Sequence, residues 1–311
     1  MTFSFQRGSE YDKVSANFRT HEGQALPSGL KEEGSELSKQ IAIVAAWAGP
    51  IPDIVRAVRK NHEAFAAKHG YEYLFYDDST LKPIQALVRG EGDLHWIKPD
   101  VILSALENHE FVFWTDLDSV FHDLGKSLDD LVRKGKDFVF TGDHNDLFNG
   151  GHLFFRRGEF SHRLISEWSS LQSIPFPTWA SGSQQGPSGH VGDQVAMNFL
   201  LAGGHSNETD VWDNGLRLLN LTNGWLGNPN RTRKRFHKTH APVSIANLRR
   251  SRRLLSPRIR ASVEIVPQYR LNAYPWWGPK GQGNRRGPIV HFVPPYKGLL
   301  QKYFDETSPP L

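Results

Sequence analysis

Two carboxylates stand one residue apart in the stretch Phe111-Val112-Phe113-Trp114-Thr115-Asp116-Leu117-Asp118-Ser119-Val120. The apolar run before them, aromatic and β-branched, has the character of a short buried strand. In an extended segment positions i and i+2 project to the same face, so Asp116 and Asp118 are expected to point into one small volume. Carboxylates that close repel unless a hard cation or a shared proton lies between them. In open α/β sheets the carboxyl end of a strand is also where ligands sit. The pattern suits a divalent metal held against the diphosphate of a nucleotide sugar. Short motifs of this kind also arise by chance, so the surrounding chain has to decide.

The surroundings exclude several classes. With 311 residues, 38% apolar content, nine Trp and nineteen Phe, the chain can bury a real core and is not a disordered polymer. It contains no cysteine, which excludes disulfides, thiolate metal sites and cysteine nucleophiles and agrees with a reducing compartment. No apolar stretch is long enough to span a membrane. The first residues, MTFSFQRGSEYDK, lack a basic region followed by an apolar one, so the expected location is cytoplasmic. Net charge is +4, but residues 231–260 hold eleven Lys or Arg and no acid. Subtracting those eleven from 37 leaves 26 basic residues elsewhere against 33 acidic ones, so the positive charge is local.

The elements that must position the Asp pair alternate. Ile41 to Trp47 reads as a buried strand closed by Gly49-Pro50, and Pro52 suits the first turn of a helix that Gly70 would stop. Ile54, Val58, Phe65 and Ala66 mark one face of that helix, and Tyr71 to Tyr76 is a second strand. Strand, helix and strand in about 35 residues make a βαβ unit and a parallel sheet. A loop around Pro83 and Gly90 leads to a helix from about His95 to Asn108, then to the strand carrying the Asp pair. Further strands are expected at 137–141, 153–155 and 289–293, and helices at 128–133, 160–171 and from Asp193 to Leu201. The region 205–288 gives no clear period. The expected organisation is a polar leader over 1–38 and one α/β domain over 39–311, with 231–260 as a basic insertion.

Several short signatures occur in order along this frame. They are Asn61-His62 with His69-Gly70-Tyr71-Glu72-Tyr73, Trp96 and Lys98, the W-x-D-x-D stretch, Asn149-Gly150, and Asp193-Gln194. Pro267-Gln268, Asn272-Ala273-Tyr274-Pro275 and His291-Phe292 followed by Lys297 complete the set. Taken together, over about residues 40–298, they resemble the retaining galactosyl-, mannosyl- and xylosyltransferases of glycosyltransferase family 34. Pro294 stands here where the H-F-x-G pattern of that family has glycine.

The resemblance implies a GT-A fold, a single Rossmann-like domain with a mixed, mostly parallel central sheet flanked by helices. It implies a UDP-hexose donor and a metal-dependent, retaining transfer. Asp116, Asp118 and His291 would hold Mn²⁺ (or Mg²⁺), the imidazole tilting the choice toward Mn²⁺. Lys297 would be a point charge on the diphosphate, and Lys98 would bind the donor with Asp116. Asn149 and Gly150 would let the backbone approach the donor sugar. Asp193 and Gln194 would flank its anomeric carbon as the catalytic pair, and Ala45, Ala46 and Trp47 would line the base and ribose pocket. Asp146, Arg249 and Arg250 are assigned to the acceptor, for which the basic segment suggests a polyanion, either nucleic acid or an acidic glycan.

Other readings of the same residues stay open. Asp116-Leu117-Asp118-Ser119-Val120 also fits the nucleophile motif of haloacid-dehalogenase-type phosphatases, although that motif ends the first strand of its domain and here two strands precede it. A non-catalytic carbohydrate-binding module would account for the many aromatics, and a nucleic-acid-binding protein for residues 231–260. The donor sugar, the linkage and the oligomeric state are not readable from sequence.

Overall fold

A computed structural model describes residues 40–85, 94–142, 148–173, 192–205, 255–275, 287–293 and 297–307. The expected leader and most of the basic insertion, through residue 254, lie outside the described residues. The main sheet has six strands in the order β2-β1-β3-β6-β5-β7. These are β1 (Ile41–Ala46), β2 (Glu72–Tyr76), β3 (Phe111–Thr115), β5 (Phe138–Thr141), β6 (His152–Arg156) and β7 (Val263–Val266). The pairs β1/β2, β1/β3 and β5/β7 are parallel, whereas β6 runs antiparallel to both β3 and β5. The sheet is therefore mixed and mostly parallel, as expected. A second, two-stranded sheet pairs β4 (Ser119–Phe121) with β8 (Ile289–His291) in antiparallel register.

Period-two alternation places the core on both faces of the main sheet. Ala42, Val44, Val112, Trp114, Phe138, Phe140, Leu153 and Phe155 turn to one face. There they meet α3 (Ile97–Asn108), α4 (Glu159–Ser170) and α5 (Asp193–Leu201). Ile41, Ile43, Phe111, Phe113, Val139 and Phe154 turn to the other face, against Phe65 and Ala66 of α1 (Asp53–His69). Each fully buried aromatic contributes about 2–3 kcal/mol of apolar transfer, so the central strands are held mainly by their own side chains. Helix α1 buries Val55, Val58, His62, Phe65 and Ala66 at three- and four-residue spacing. It ends at Gly70, whose φ of 70° a residue with a Cβ would adopt only with strain.

Two of the helices were missed by the sequence reading. Residues around Pro83 form α2 (Asp78–Gln85), because Asp77 Oδ1 accepts from the amides of Ser79 and Thr80 (3.0 and 3.3 Å) and caps the helix despite the proline. Helix α6 (Gly298–Thr307) carries Leu300 and Tyr303 onto Val58, Val120, Val290 and Phe292.

The Asn-His and His-Gly-Tyr signatures turn out to be a clamp on the chain that leaves the Asp pair. Asn61 mimics a strand neighbour: its Oδ1 accepts from Phe121 N–H (2.7 Å) and its Nδ2 donates to Phe121 C=O (3.1 Å). His62 Nε2 lies 3.0 Å from Ser119 C=O, and His69 Nε2 lies 2.9 Å from Leu124 C=O. Tyr71 OH accepts from Leu128 N–H and donates to Asp129, each at 2.8 Å. Four side chains, three from α1 and Tyr71 just before β2, thus fix residues 119–129.

His62 ties this clamp to pH. Burial lowers its pKa to about 4, only partly offset by the Ser119 carbonyl. A depressed histidine pKa means the unfolded chain binds the extra proton first, so stability is intact above about pH 6.5 and falls toward pH 4. From pH 7 to 4.5 this group should remove about 2 kcal/mol. Urea unfolding at both pH values should show that loss in the native chain and a loss smaller by that amount in His62→Leu. An equal loss in both would show that His62 is not the acid-sensitive group.

Candidate metal and donor site

The two aspartates do converge, but by a turn and not by extended geometry. Strand β3 ends at Thr115, and the chain reverses before β4 begins at Ser119. Asp116 N–H donates to Gly151 C=O (2.9 Å), while Ser119 N–H (3.2 Å) and Ser119 Oγ (2.5 Å) both donate to Asp116 C=O. Thr115 Oγ1 lies 3.0 Å from Ser119 Oγ and braces the same turn. Phe292 N–H donates to Asp118 C=O (2.7 Å), so the small sheet holds the second aspartate. One ligand atom from each of Asp116, Asp118 and His291 then lies within 4.8 Å of the others.

The cluster alternates in charge. Asp118 is paired on both oxygens, with His291 Nε2 at 2.8 Å from Oδ1 and Lys297 Nζ at 3.4 Å from Oδ2. Burial pushes the Asp118 carboxyl up, but His291 and then Lys297 outweigh it and hold it well below the usual carboxylate range. The same pairing holds His291 above the usual imidazole value against the effect of its burial. Lys98, almost fully buried, reaches Asp116 (3.3 Å), Asp193 (3.3 Å) and the Gly150 carbonyl (3.2 Å) with one ammonium. Burial favours its neutral form, yet Asp116 and Asp193 together raise its pKa above that of free lysine. Trp114 Nε1–H donates to Asp116 Oδ1 at 2.7 Å and fixes that carboxylate from behind.

Beside the metal-type cluster lies a second polar wall. Asp193 opens α5, where a carboxylate is favoured by the helix dipole. Its Oδ2 is buried and faces Lys98 without an aligned hydrogen bond. Gln194 Oε1 accepts from Gly150 N–H (3.1 Å), and Gly151 N–H donates to Asn149 Oδ1 (2.9 Å), which fixes the Asn149-Gly150-Gly151 turn. A methyl on Gly151 would fall 2.5 Å from the His291 ring, so only glycine lets the turn pass so close. A Cβ on Gly150 would sit 3.5–3.6 Å from Lys98 Nζ and Asp193 Oδ2, in ordinary contact beside their ion pair.

The structure therefore gathers Lys98, Asp116, Asp118, Asn149, Gly150, Asp193, Gln194, His291 and Lys297 at one edge of the sheet. Ala45, Ala46 and Trp47 end β1 at the same edge, since Val44 pairs with Trp114. The Trp47 indole donates to Pro50 C=O (3.0 Å). Asp146, Arg249 and Arg250 lie outside the described residues. Sequence reasoning gave no site role to Trp114, Gly151, Asn272 or Tyr274. For Trp114 the signal was present, since an indole two residues before an aspartate can reach it.

The galactosyl transferase GMA12/MNN10 family matches residues 48–138 by its family model. That stretch includes the α1 clamp, Lys98, Asp116 and Asp118, and ends before Asn149, Asp193 and His291. Galactomannan galactosyltransferase 1 of Cyamopsis tetragonoloba is 25% identical over 170 residues, 49% of this chain and 37% of that protein. Probable glycosyltransferase 6 of Oryza sativa subsp. indica is 23% identical over 198 residues, 57% of this chain and 39% of that protein. The chain thus spans less than two-fifths of the length of these curated relatives. A glycosyltransferase involved in glycosylation of the major capsid of PBCV-1 aligns over 86% of this chain and 99% of its own, with 15% identity and a TM-score of 0.49. No described helix is long and apolar enough to cross a membrane. Residues 48–138 are thus similar to the galactosyl transferase GMA12/MNN10 family, and the described residues form a mixed, mostly parallel sheet flanked by helices.

Proposed function

We propose that this protein is a metal-dependent, retaining glycosyltransferase that moves a hexose from a UDP-sugar to an acceptor. The observation that carries the reading is the pairing of two functions at one edge: an Asp116–Asp118–His291 donor set beside a buried Lys98–Asp193–Gln194 wall. Two carboxylates and one imidazole suit a divalent ion with some taste for nitrogen, which favours Mn²⁺ over Mg²⁺. When bound, such an ion supplies positive charge beside the leaving diphosphate.

The chain's own residues do the rest. Lys297, more than half exposed at the rim, is free to turn from Asp118 toward a diphosphate and add a second positive charge. Asp193, held on one oxygen by Lys98 and still partly exposed, offers its carboxylate to hydroxyls of the donor sugar. Gly150 brings bare backbone up against the Lys98–Asp193 ion pair, where the donor sugar would approach. As the bond from the anomeric carbon to the diphosphate oxygen breaks, its electron pair stays with that oxygen and positive charge grows on the sugar. Gln194, fixed by Gly150 N–H, offers an amide dipole to that charge. An amide is no general base, so the acceptor oxygen is expected to bond on the face the diphosphate leaves, its proton passing to the departing diphosphate oxygen, and configuration is retained.

Binding of the nucleotide should require the metal, and the metal should require the Asp pair. In calorimetry, Asp116→Asn and Asp118→Asn should each abolish Mn²⁺-dependent UDP binding while circular dichroism stays native. UDP bound equally well in EDTA would contradict the metal set.

Gln194→Ala should lower kcat by roughly 10²–10³-fold, the scale of losing a transition-state dipole, with little change in donor affinity. Proton NMR of the product should show the α linkage of the donor. A β-linked product would refute retention.

A further inference from the structure

Behind the metal-type cluster, a line of buried polar side chains joins it to the turn on the sugar side. His291 Nδ1 lies 2.6 Å from Asn272 Oδ1, and Asn272 Nδ2 lies 3.4 Å from Tyr274 OH. Asn149 Nδ2 donates to the same hydroxyl at 3.1 Å, and Asn149 Oδ1 accepts from Gly151 N–H at 2.9 Å. Asn272 is 0% exposed, Tyr274 1%, Asn149 3% and His291 4%, so no bulk water takes part in these contacts. Polar groups this deep are costly unless paired, and an apolar pair of the same shape would fill the space without that cost. A structural core alone does not require them.

Backbone bonds keep the line rigid. Asn272 N–H donates to Gln268 C=O (2.7 Å), Ala273 N–H to Ile289 C=O (3.1 Å), and His291 N–H to Ala273 C=O (2.8 Å). Asn272 and His291 thus sit on two segments locked side by side.

We propose that Asn272 is a positioning residue that selects the imidazole nitrogen His291 offers, and that Tyr274 ties this choice to the Asn149 turn. The inference rests on the reading of Asp116, Asp118 and His291 as one metal set. An amide oxygen carries no proton, so the 2.6 Å contact puts the proton on Nδ1. Nε2 carries a proton toward the Asp118 carboxylate in the metal-free chain, and with Nδ1 committed to Asn272 that Nε2 proton is the one a cation would displace. Tyr274 then makes the position of the Asn149 turn depend on the same hydrogen-bonded group. Two substitutions separate these duties: Asn272→Asp keeps an acceptor for Nδ1–H and loses the donor to Tyr274, and Tyr274→Phe leaves the His291 contact untouched.

Mn²⁺ affinity, read from the electron paramagnetic resonance of free Mn²⁺, tests the assignment without any turnover. Asn272→Leu should weaken Mn²⁺ binding by about 10–100-fold, the usual effect of removing a partner that orients a ligand. Asn272→Asp and Tyr274→Phe should bind Mn²⁺ nearly as the native chain does, while both lower kcat for donor hydrolysis. Native Mn²⁺ affinity in Asn272→Leu overturns the inference if His291→Ala is weakened. If His291→Ala also binds as the native chain, the metal set itself is wrong. Should Asn272→Leu fail to fold, nitrogen-15 NMR of the native chain loaded with Mg²⁺ decides. A proton on Nδ1 of His291 supports the assignment, and a proton on Nε2 overturns it.

Discussion

Mutual repulsion of carboxylates, brought together at the end of one strand, is the constraint on which this structure turns. Two like charges 4.8 Å apart repel by about 3.5 kcal/mol at an effective dielectric near 20. The chain sets Asp116 and Asp118 at about that range and adds Asp193 nearby. It offsets the repulsion with Lys98 between Asp116 and Asp193, and with His291 and Lys297 on Asp118. Those cations come from α3, β8 and the start of the last helical segment, so the balance exists only when distant parts of the chain have folded together. Lys98 and His291 are buried and fixed, whereas Lys297 is largely exposed. The site therefore holds one permanent counter-charge in Lys98, one in His291 that a bound cation would replace, and one in Lys297 that can be redirected.

The rest of the fold keeps this arrangement from relaxing. The β3 strand is packed on both faces, by Phe111 and Phe113 on one side and Val112 and Trp114 on the other. The turn that carries the aspartates is then gripped from three directions. Ser119 and Thr115 hold it from within, Gly151 from the turn before β6, and the α1 side chains hold its exit. Pre-placed dipoles and charges cost no reorganisation when a substrate's charge develops, which is where such rigidity would matter for a transfer reaction.

Much of this was legible in the sequence because it is written in local periods. The strands β1, β3 and β5 are short apolar runs, α1 has a three-four apolar face and a glycine stop, and Asp193 sits at a helix start. The parallel pairing of β1 with β2 followed from the early βαβ unit, whereas the mixed, mostly parallel sheet was implied by the family resemblance. What stayed hidden depends on contacts between distant residues. The aspartates converge through a turn stabilised by Ser119 and Gly151, which a strand-period argument cannot supply. The His62–Ser119 and Asn61–Phe121 bonds span 57 and 60 residues, so the bracing role of the Asn61-His62 signature could not be read from its local sequence. Asn272 meets His291 only because β8 and residues 272–273 pair after a long intervening segment. The strand β7 escaped notice because its four residues sit in a region of weak period.

The central claim is that this charge-balanced edge handles a nucleotide sugar and does not form a phosphoaspartate. The most direct measurement is hydrolysis by the native chain with Mn²⁺ over a panel of nucleotide sugars, run beside a generic aryl phosphate. The account predicts metal-dependent release of a free hexose from a UDP-sugar and no phosphate from the aryl ester. Phosphate released from the aryl ester, with every nucleotide sugar left intact, would contradict it.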